Sequence, residues 1–336
     1  PGSIPHVVRH TQDMEAYHLY LRGRHHWYTR SKGALQKALG YFDEAARRDP
    51  NYALAHVGLA DLYTAQAIYG YAPEHELAVK ARASVQRALA ITDRIGDAYR
   101  ADGFSRLFID WDVQAGVRSL QRAVELDPSS GLSHAWLAWP TWPGRREEAL
   151  ATIRRAQDLD PLNPYIHSLS SVIHDIWVSP EAGIAEAMKA LDIDSNYLVA
   201  LYLIGGAYTH AGRHEEALAS FEKALKIAGR ESFYVAHLAW AQAMAGHRDD
   251  ARRGLADIEA RAPREYVSPL HLAMVDAALG DLDRGFARLD DAVRARATWI
   301  GSPRFPMFDG FRGDPRFSAM LRRLNHPDWE QLSLRQ

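Results

Sequence analysis

The sequence has no cysteine among its 336 residues. This absence excludes thiolate catalysis, zinc sites built on cysteine and iron–sulfur ligation, but it does not fix the compartment. An excess of basic residues is also lacking, because 40 Lys and Arg stand against 42 Asp and Glu for a net charge of −2. Nucleic-acid-binding domains usually carry a basic surface. We therefore expect this chain to bind no nucleic acid.

Long uncharged stretches are scarce as well. The longest, Ser195–Gly212, approaches the length of a membrane span but contains several polar residues and glycines. The repeat described next explains it better, so we expect no membrane association. The opening Pro1-Gly2-Ser3 is typical of a protease-cleavage remnant. Residues 1–15 are accordingly expected to be an N-terminal extension, with the natural protein continuing upstream.

A period of 34 residues runs through most of the chain. Gly212, Gly246 and Gly280 follow one another at this spacing, and Gly144 precedes Gly212 by two periods. Further columns at the same period hold small or apolar residues. They include Ala149, Gly183, Ala217, Ala251 and Gly285 in one column, and Ile153, Ala187, Phe221, Leu255 and Leu289 in another. Such self-similarity is typical of a stack of structural repeats.

One unit, residues 196–229, predicts a hairpin of two helices. Leu198–His210 has apolar residues at helical spacing, and Gly212 favours the left-handed conformation that ends a helix. His214–Ile227 forms the second helix, with Ala217 on its apolar face. A single hairpin cannot cover its own apolar face, so neighbouring hairpins must stack.

These residues resemble the tetratricopeptide repeat. The family pattern has a small residue and Tyr in the first helix, Gly at the turn, then Ala, an aromatic residue, Ala and a closing Pro. It is met here by Gly205, Tyr208, Gly212, Ala217, Phe221 and Ala224, with Gly229 in place of the Pro. The resemblance extends over about residues 16–296. It implies an all-α fold, a right-handed superhelical α-solenoid of about eight hairpins in which contacts run between neighbours.

The expected solenoid covers residues 16–298. Its units are 16–50, 51–93, 94–128, 129–161, 162–195, 196–229, 230–263 and 264–297. Pro140 and Pro143 are expected to shorten the first helix of the fourth unit. Residues 299–336 are expected to form a C-terminal cap and tail, in which the aromatic residues cover the last hairpin. Asp314-Pro315 predicts the start of a short capping helix.

The two ends of the chain narrow the resemblance. Ala16–Arg24 (AYHLYLRGR) and Asp314–Phe317 (DPRF) look like repeat regions that follow effector domains in bacterial signalling proteins. In that group the upstream domain is a serine/threonine kinase, a nucleotide cyclase or a winged-helix DNA-binding domain. The resemblance implies the regulatory part of a larger bacterial signalling or transcription-regulating protein. It is expected in the cytoplasm, or in the periplasm if a transmembrane segment lies upstream.

Motifs for catalysis are lacking. The sequence contains no phosphate-binding loop, dinucleotide-binding glycine fingerprint, zinc-protease motif or nucleophile elbow. Histidine is the one enriched candidate, with 16 residues, but no group of histidines has the spacing of a complete metal site. We expect no catalytic, metal-binding or cofactor-binding residue and no enzymatic activity in this chain, which leaves an upstream enzyme domain open.

The first helix of each hairpin lines the concave groove in the family geometry. The regular units place neither Lys nor Asn there, which argues against the clamp that holds a peptide's terminal carboxylate in some tetratricopeptide domains. The groove positions hold aromatic residues instead, which suit an apolar partner. The candidate groove residues are Tyr20, Arg24, Trp27, Arg100, Phe104, Trp136, Trp139, Tyr165, Tyr202, Phe233 and Trp240. Packing between neighbouring helices is the alternative role for each.

An extended segment within the second unit, Ile68–His75, is the other candidate. Gly70 and Pro73 predict a loop from which Tyr69 and Tyr71 reach a partner, although an insertion without a role explains it equally. The favoured function is binding of a protein or peptide partner in the groove, without a cofactor. The alternatives are a small-molecule sensor with the ligand inside the superhelix and a self-assembly module. Both a monomer and a homodimer remain open.

Overall fold

The computed structural model describes residues 10–139 and 145–326, and every regular element in these ranges is helical. Eight helix pairs, hairpins 1 to 8, follow one another along the chain. They are α1 (Met14–Thr29) and α2 (Lys32–Arg48), α3 (Ala53–Ile68) and α4 (Glu74–Ile91), α5 (Gly96–Ser105) and α6 (Val113–Leu126), α7 (Gly131–Leu137) and α8 (Arg146–Leu159), α9 (Pro164–Trp177) and α10 (Pro180–Ile193), α11 (Leu198–His210) and α12 (His214–Ala228), α13 (Ser232–Met244) and α14 (Arg248–Arg261), and α15 (Pro269–Ala278) and α16 (Leu282–Ala295). A last helix, α17 (Pro315–Arg323), ends the described chain.

The all-α solenoid expected from the sequence is therefore confirmed. The two helices of each hairpin pack against each other, and each hairpin packs against the next. The turn glycines Gly212, Gly246 and Gly280 have φ values of +72°, +83° and +82°. This left-handed conformation favours glycine, which explains the 34-residue column. The related predictions for Gly144, Pro140 and Pro143 lie outside the described residues.

Small residues allow the helices to approach closely around Phe42 of α2. A Cβ atom added to Gly23 of α1 would lie 2.5 Å from the Phe42 ring, and one added to Gly58 of α3 would also lie 2.5 Å from it. Phe42 is fully buried between the two glycines. One aromatic ring thus fixes hairpin 1 against hairpin 2 by shape, which accounts for a glycine within each of these helices.

Hairpins that are far apart in the sequence also contact each other. The expectation that contacts run between neighbouring hairpins alone is therefore wrong. The Tyr71 hydroxyl, after α3, donates to the carboxylate of Glu231 before α13. The Ser268 hydroxyl, before α15, donates to Glu74 of α4 over 3.0 Å. Hairpin 2 therefore lies against hairpins 7 and 8. The curvature of the stack brings its early and late units together.

The segment between α16 and α17 enters the interior of this closed array. The indole N–H of Trp299 donates to the Ile68 carbonyl over 3.0 Å. The ring of Phe305 stacks on Trp139 at a centroid distance of 5.8 Å. The indole N–H of Trp139 in turn donates to the Ser302 hydroxyl over 3.4 Å. The aromatic residues of this segment thus cover early units of the solenoid as well as the last hairpin.

The predicted capping helix is confirmed. Asp314 accepts a hydrogen bond from the backbone N–H of Arg316, and Pro315 occupies the first turn of α17. Phe311 packs edge-on against Phe286 of α16 at 5.0 Å and stacks against Phe317 of α17 at 6.1 Å. These rings cover the apolar face of hairpin 8, which no further hairpin covers within the described residues.

Candidate binding surfaces

The predicted groove residues do not line an open groove. Apart from Tyr20 and Arg24, which are half-buried, all of them are buried, with exposure from 0 % for Trp27 to 6 % for Trp139. Their own chain covers them. The buried members of the set are Trp27, Arg100, Phe104, Trp136, Trp139, Tyr165, Tyr202, Phe233 and Trp240. The expectation of a free aromatic groove is thus corrected, because the closed array fills its interior with these rings.

The buried aromatic residues contact one another across hairpins. Trp27 of hairpin 1 lies 5.8 Å, edge to face, from Tyr165 of hairpin 5. Phe104 of hairpin 3 lies 4.3 Å from Trp136 of hairpin 4. Such pairs add to the energy of apolar burial and hold the interior in one arrangement. The concave face therefore serves as a core in this conformation.

The two predicted groove arginines meet at a carboxylate that the sequence analysis did not select. Arg24 Nη1 donates to Asp61 over 3.0 Å, and Arg100 donates both η nitrogens to the two oxygens of the same carboxylate. Asp97 accepts from Arg100 Nε over 3.1 Å. Arg100 and Asp61 are fully buried. These arginines are held by internal ion pairs, which leaves Arg100 unable to reach a partner.

The tyrosines of the extended segment bind the chain itself. Tyr69 packs edge-on against Phe233 at 4.8 Å, and the Tyr71 hydroxyl donates to Glu231. Gly70, with φ +62°, lies so close to His271 that an added Cβ would approach its ring to 3.0 Å. The segment is thus an intramolecular contact between hairpin 2 and the later hairpins.

Two carboxyl groups, the buried Glu74 and the half-buried Glu231, complete this intramolecular contact. Glu74 accepts hydrogen bonds from Tyr266 and Ser268. Burial raises the pKa of Glu74, although the Tyr266 and Ser268 hydroxyl groups oppose the rise. Burial likewise raises the pKa of Glu231, against the hydrogen bond from Tyr71. We name this set of contacts, from Tyr69 to Glu74 on one side and Glu231 to Ser268 on the other, the closure contact.

Two histidines lie behind the closure contact. The rings of His237 and His271 are 5.9 Å apart, and both are buried. Burial lowers the pKa of His237 to about 4, against a hydrogen bond to the Phe233 carbonyl. Burial lowers the pKa of His271 to about 3, with a further contribution from His237. Both imidazoles are therefore neutral near pH 7, and sequence reasoning had assigned them no role.

An open cleft remains on the outside, where the end of α1 faces the links between hairpins 4, 5 and 6. Its volume is about 430 Å³. We call it the edge cleft. It is lined by His25, Tyr28, Thr29, Asp160, Leu162, Asn163, Pro164, Asp194, Asn196, Tyr197, Leu198 and Ile227. Leu162 is 76 % exposed and Ile227 is 42 % exposed, so large apolar side chains face solvent at this cleft.

A second cleft, with a volume of only about 30 Å³, lies on the concave side, between α9, α11 and α13 and the segment that follows α16. Its walls are mostly apolar and include Tyr202, Trp240, Phe305 and Met307. His237 also borders it, and the Nε2 atom of this imidazole has no hydrogen-bond partner. We call it the inner cleft. Two of the predicted groove residues, Tyr202 and Trp240, thus border this cleft.

Neither a membrane span nor a metal centre stands out in the part of the chain that the structure describes. Within it, no helix has both the length and the apolar character to cross a membrane. The same residues contain no cluster of three or more His, Asp or Glu side chains arranged to hold a metal ion.

The comparison with family models gives one match, which lies within a single hairpin. Residues 199–230 match the family model "Tetratricopeptide repeat". This unit is hairpin 6. Hairpins 7 and 8 repeat its three-residue turn, and the earlier hairpins have turns of other lengths. A comparison with curated protein sequences finds no match.

Solved structures give fold similarity at low sequence identity. A structure of the human IFIT1 dimer with m7Gppp-AAAA is 14% identical with a TM-score of 0.59, and the match covers 83% of this chain and 72% of that one. The crystal structure of MamA is 19% identical with a TM-score of 0.39, covering 51% of this chain and 95% of that one. YrrB, a tetratricopeptide protein with an unusual peptide-binding site, is 22% identical with a TM-score of 0.33, covering 51% and 83%. The IFIT1 match supports the all-α repeat fold.

Proposed function

We propose that this chain is a non-catalytic scaffold that binds a protein partner at the edge cleft. The observation that carries the proposal is the exposure of Leu162 and Ile227 beside a cleft of about 430 Å³. Apolar side chains grouped at a concave surface are typical of interaction sites. The tetratricopeptide match of hairpin 6 supports the same class of function.

The charge of the edge cleft favours one kind of partner. Asp160 and Asp194 lie in its lining, which contains no Lys or Arg among the described residues. Asp160 accepts from the Asn163 side chain over 2.8 Å, and Asp194 accepts from the Asn196 backbone over 2.9 Å, so both carboxylates are held in place. A peptide segment with an apolar side chain next to a basic one matches this lining.

Binding to peptide arrays tests the proposal. Immobilised peptides that combine apolar and basic residues should retain the chain, and acidic counterparts should not. Leu162→Glu should reduce retention at least tenfold, because it places a charge at the apolar wall. Val79→Glu, at a site 65 % exposed on α4, is the matched control and should bind like the original chain. Equal retention of both variants would rule out the edge cleft as the docking site.

The buried groove residues have a conditional role in this proposal. Trp27, Tyr165, Phe233 and their neighbours contact a partner only in a state in which the closure contact has opened. Tyr69 and Tyr71 belong to the same state, because their present contacts are with Phe233 and Glu231. A rise in tryptophan exposure on partner binding, read as a red shift in fluorescence, tests this step. An unchanged spectrum at saturating partner would contradict it.

The finer setting rests on the two end motifs. We place the chain as the regulatory part of a larger bacterial signalling or transcription-regulating protein, in the cytoplasm, or in the periplasm behind a transmembrane segment. The near-neutral charge of the chain supports a protein partner over a nucleic acid. Reading the natural gene upstream of Ile4 tests the setting. Sedimentation velocity decides between a monomer and a homodimer.

A small-molecule sensor is the second candidate, favoured by the inner cleft. Its apolar walls and the unpartnered Nε2 of His237 suit a small apolar ligand that donates one hydrogen bond. Gly206 also lines this cleft, and an added Cβ there would meet nothing within 4 Å. Gly206→Leu should therefore fill the cleft and abolish thermal stabilisation by such a ligand. Stabilisation that survives this change would exclude the inner cleft.

A further inference from the structure

A buried arginine without an ionic partner lies at the centre of the closed array. Arg30 follows α1 and is 1 % exposed. Its guanidinium carbon lies 3.5 Å from the centroid of the Trp27 ring and 4.6 Å from that of Tyr165. No carboxylate of the described residues pairs with it. A buried charge without a counter-charge is costly in free energy, and aromatic contacts offset only part of that cost.

The unpaired atoms of Arg30 lie on one edge of its guanidinium group. Nε and Nη2 are both buried and have no hydrogen-bond partner. These two N–H groups point in parallel, which is the arrangement that binds two oxygens of a carboxylate or phosphate at once. The backbone does not explain an arginine here, because its φ of +63° is adopted at lower cost by Gly or Asn.

Other hydrogen-bond donors near Arg30 are also buried and unpartnered. They include the hydroxyl groups of Tyr197 and Tyr234 and the indole N–H of Trp27. Burial raises the pKa of both tyrosines, and the positive charge of Arg30 opposes this rise. The indole and the guanidinium can only donate. The unpartnered buried groups around Arg30 therefore all carry a hydrogen that they can donate.

Chain neighbours of Arg30 line two surface clefts. Thr29 lines the edge cleft together with Tyr28 and Tyr197. Lys32 lines a second cleft, of about 260 Å³, together with Tyr69 and Tyr71. Both clefts therefore come close to the segment that carries Arg30.

We propose that the interior binds a small oxyanion, a phosphate or carboxylate group, between the Nε–Nη2 edge of Arg30 and the hydroxyl of Tyr197, with Tyr234 as a further donor. The anion supplies the missing counter-charge and the missing acceptors together. This site adjoins the edge cleft, whose wall includes Tyr197, but the proposal does not depend on a partner docking there. An occupied site joins hairpin 1, which carries Arg30, to hairpins 6 and 7, which carry the two tyrosines.

Thermal unfolding in sodium phosphate, sulfate and acetate, each made up to constant ionic strength with chloride, tests the proposal. At least one oxyanion should raise the unfolding midpoint of the chain by several degrees and should saturate, because it binds only the folded state. A response to phosphate and sulfate identifies a tetrahedral ligand group, and a response to acetate alone identifies a carboxylate. If no oxyanion acts beyond chloride, the proposal is overturned.

Arg30→Met keeps the long side chain and removes the charge, so its midpoint should not respond to the same anions. Arg213→Met is the matched control, since Arg213 also lies over a tyrosine, 4.7 Å from the Tyr208 ring, but at the surface beside Glu216. This control should respond like the original chain. An Arg30→Met variant that responds equally would overturn the assignment.

Tyr197→Phe tests the site without touching the charge, and it decides the matter if Arg30→Met does not fold. Isothermal titration with the active anion should show at least a threefold weaker affinity for Tyr197→Phe than for the original chain. Val79→Glu, at an exposed site on α4 away from both clefts, should leave the anion affinity unchanged. An undiminished affinity of Tyr197→Phe would overturn the placement of the anion.

Discussion

Arg100 of α5 donates its two η nitrogens to the two carboxylate oxygens of Asp61 on α3, over 2.9 and 2.7 Å, in a site from which water is excluded. The pair joins hairpin 3 to hairpin 2, and Arg24 of hairpin 1 reaches the same carboxylate. Three successive hairpins therefore depend on one acidic side chain. Buried pairs of this kind specify an arrangement more than they add stability, but they are costly to break.

Asp61→Asn should lower the free energy of unfolding by about 3–5 kcal/mol, because it removes the buried counter-charge of Arg100 and leaves only the half-exposed Asp97. Urea denaturation measures the effect. Asp249→Asn is the control, since its partner Arg252 and Asp249 itself are largely exposed. That change should cost less than about 1 kcal/mol. An Asp61→Asn variant as stable as the control would show that the pair contributes nothing.

Adjacent glycines in α11 should respond in opposite directions to alanine. A Cβ at Gly205 would lie 2.9 Å from the buried Phe221 ring, so Gly205→Ala should cost about 1–3 kcal/mol by overpacking. A Cβ at Gly206 would meet nothing within 4 Å, so Gly206→Ala should stabilise the helix by about 0.5–1 kcal/mol. The midpoints of urea unfolding distinguish the two, and effects of the same sign would contradict the packing described here.

Glu74→Ala should weaken the closure contact. The change leaves the hydroxyl groups of Tyr266 and Ser268 without their acceptor, at a cost of about 1–3 kcal/mol. Hydrogen exchange should then increase in both α4 and α15, although they are far apart in sequence. Glu76→Ala, an exposed site on the same helix, should stay within about 0.5 kcal/mol of the original chain. Faster exchange in α4 alone would argue against an intramolecular closure.

Stability should fall on mild acidification because of His237 and His271. Their folded pKa values, about 4 and about 3, lie below the 6.5 of a free histidine, so the unfolded chain takes up protons first as the pH falls. The stability that they contribute is complete above pH 6.5 and declines below it. At pH 5 each costs about 2 kcal/mol.

His271→Leu isolates this effect. Its loss of stability between pH 7.5 and pH 5, measured by urea denaturation at each pH, should be about 2 kcal/mol smaller than that of the original chain. The comparison is between the two pH values for each protein, so a general change in stability from the substitution cancels. An identical loss in both proteins would show that His271 is protonated in the folded state.

The sequence predicts the fold well because its signals are local. The turn glycines need a left-handed backbone, and the columns of Ala217 and Phe221 need a helix-to-helix contact within one hairpin. Asp314-Pro315 likewise caps its own helix. Each of these predictions depends on residues that lie within one unit of each other. The 34-residue period repeats this pattern of turn glycines and apolar columns in several hairpins.

The binding surfaces were less predictable because they depend on how strongly the stack curves. The period shows that Tyr202 and Phe233 face inward, but it cannot show that Trp299 and Tyr69 come from distant units to meet them. One local signal was present for the ion pair. Asp61 is the one acidic residue in α3, whose other residues are mostly apolar, and such a residue requires a buried partner.

The closure contact also bears on the order of synthesis. Tyr71 and Glu74 leave the ribosome long before their partners Glu231 and Tyr266. The number of residues between Ile68 and its partner Trp299 is larger still. A nascent chain that contains only hairpins 1 to 4 thus exposes tyrosine, tryptophan and glutamate side chains. The residues that cover them in the folded protein have not yet been synthesised. Chaperones have their longest opportunity to bind at this stage. Loss of the segment after α16 would uncover the Ile68 carbonyl and the Trp139 ring, which belong to the first half of the chain.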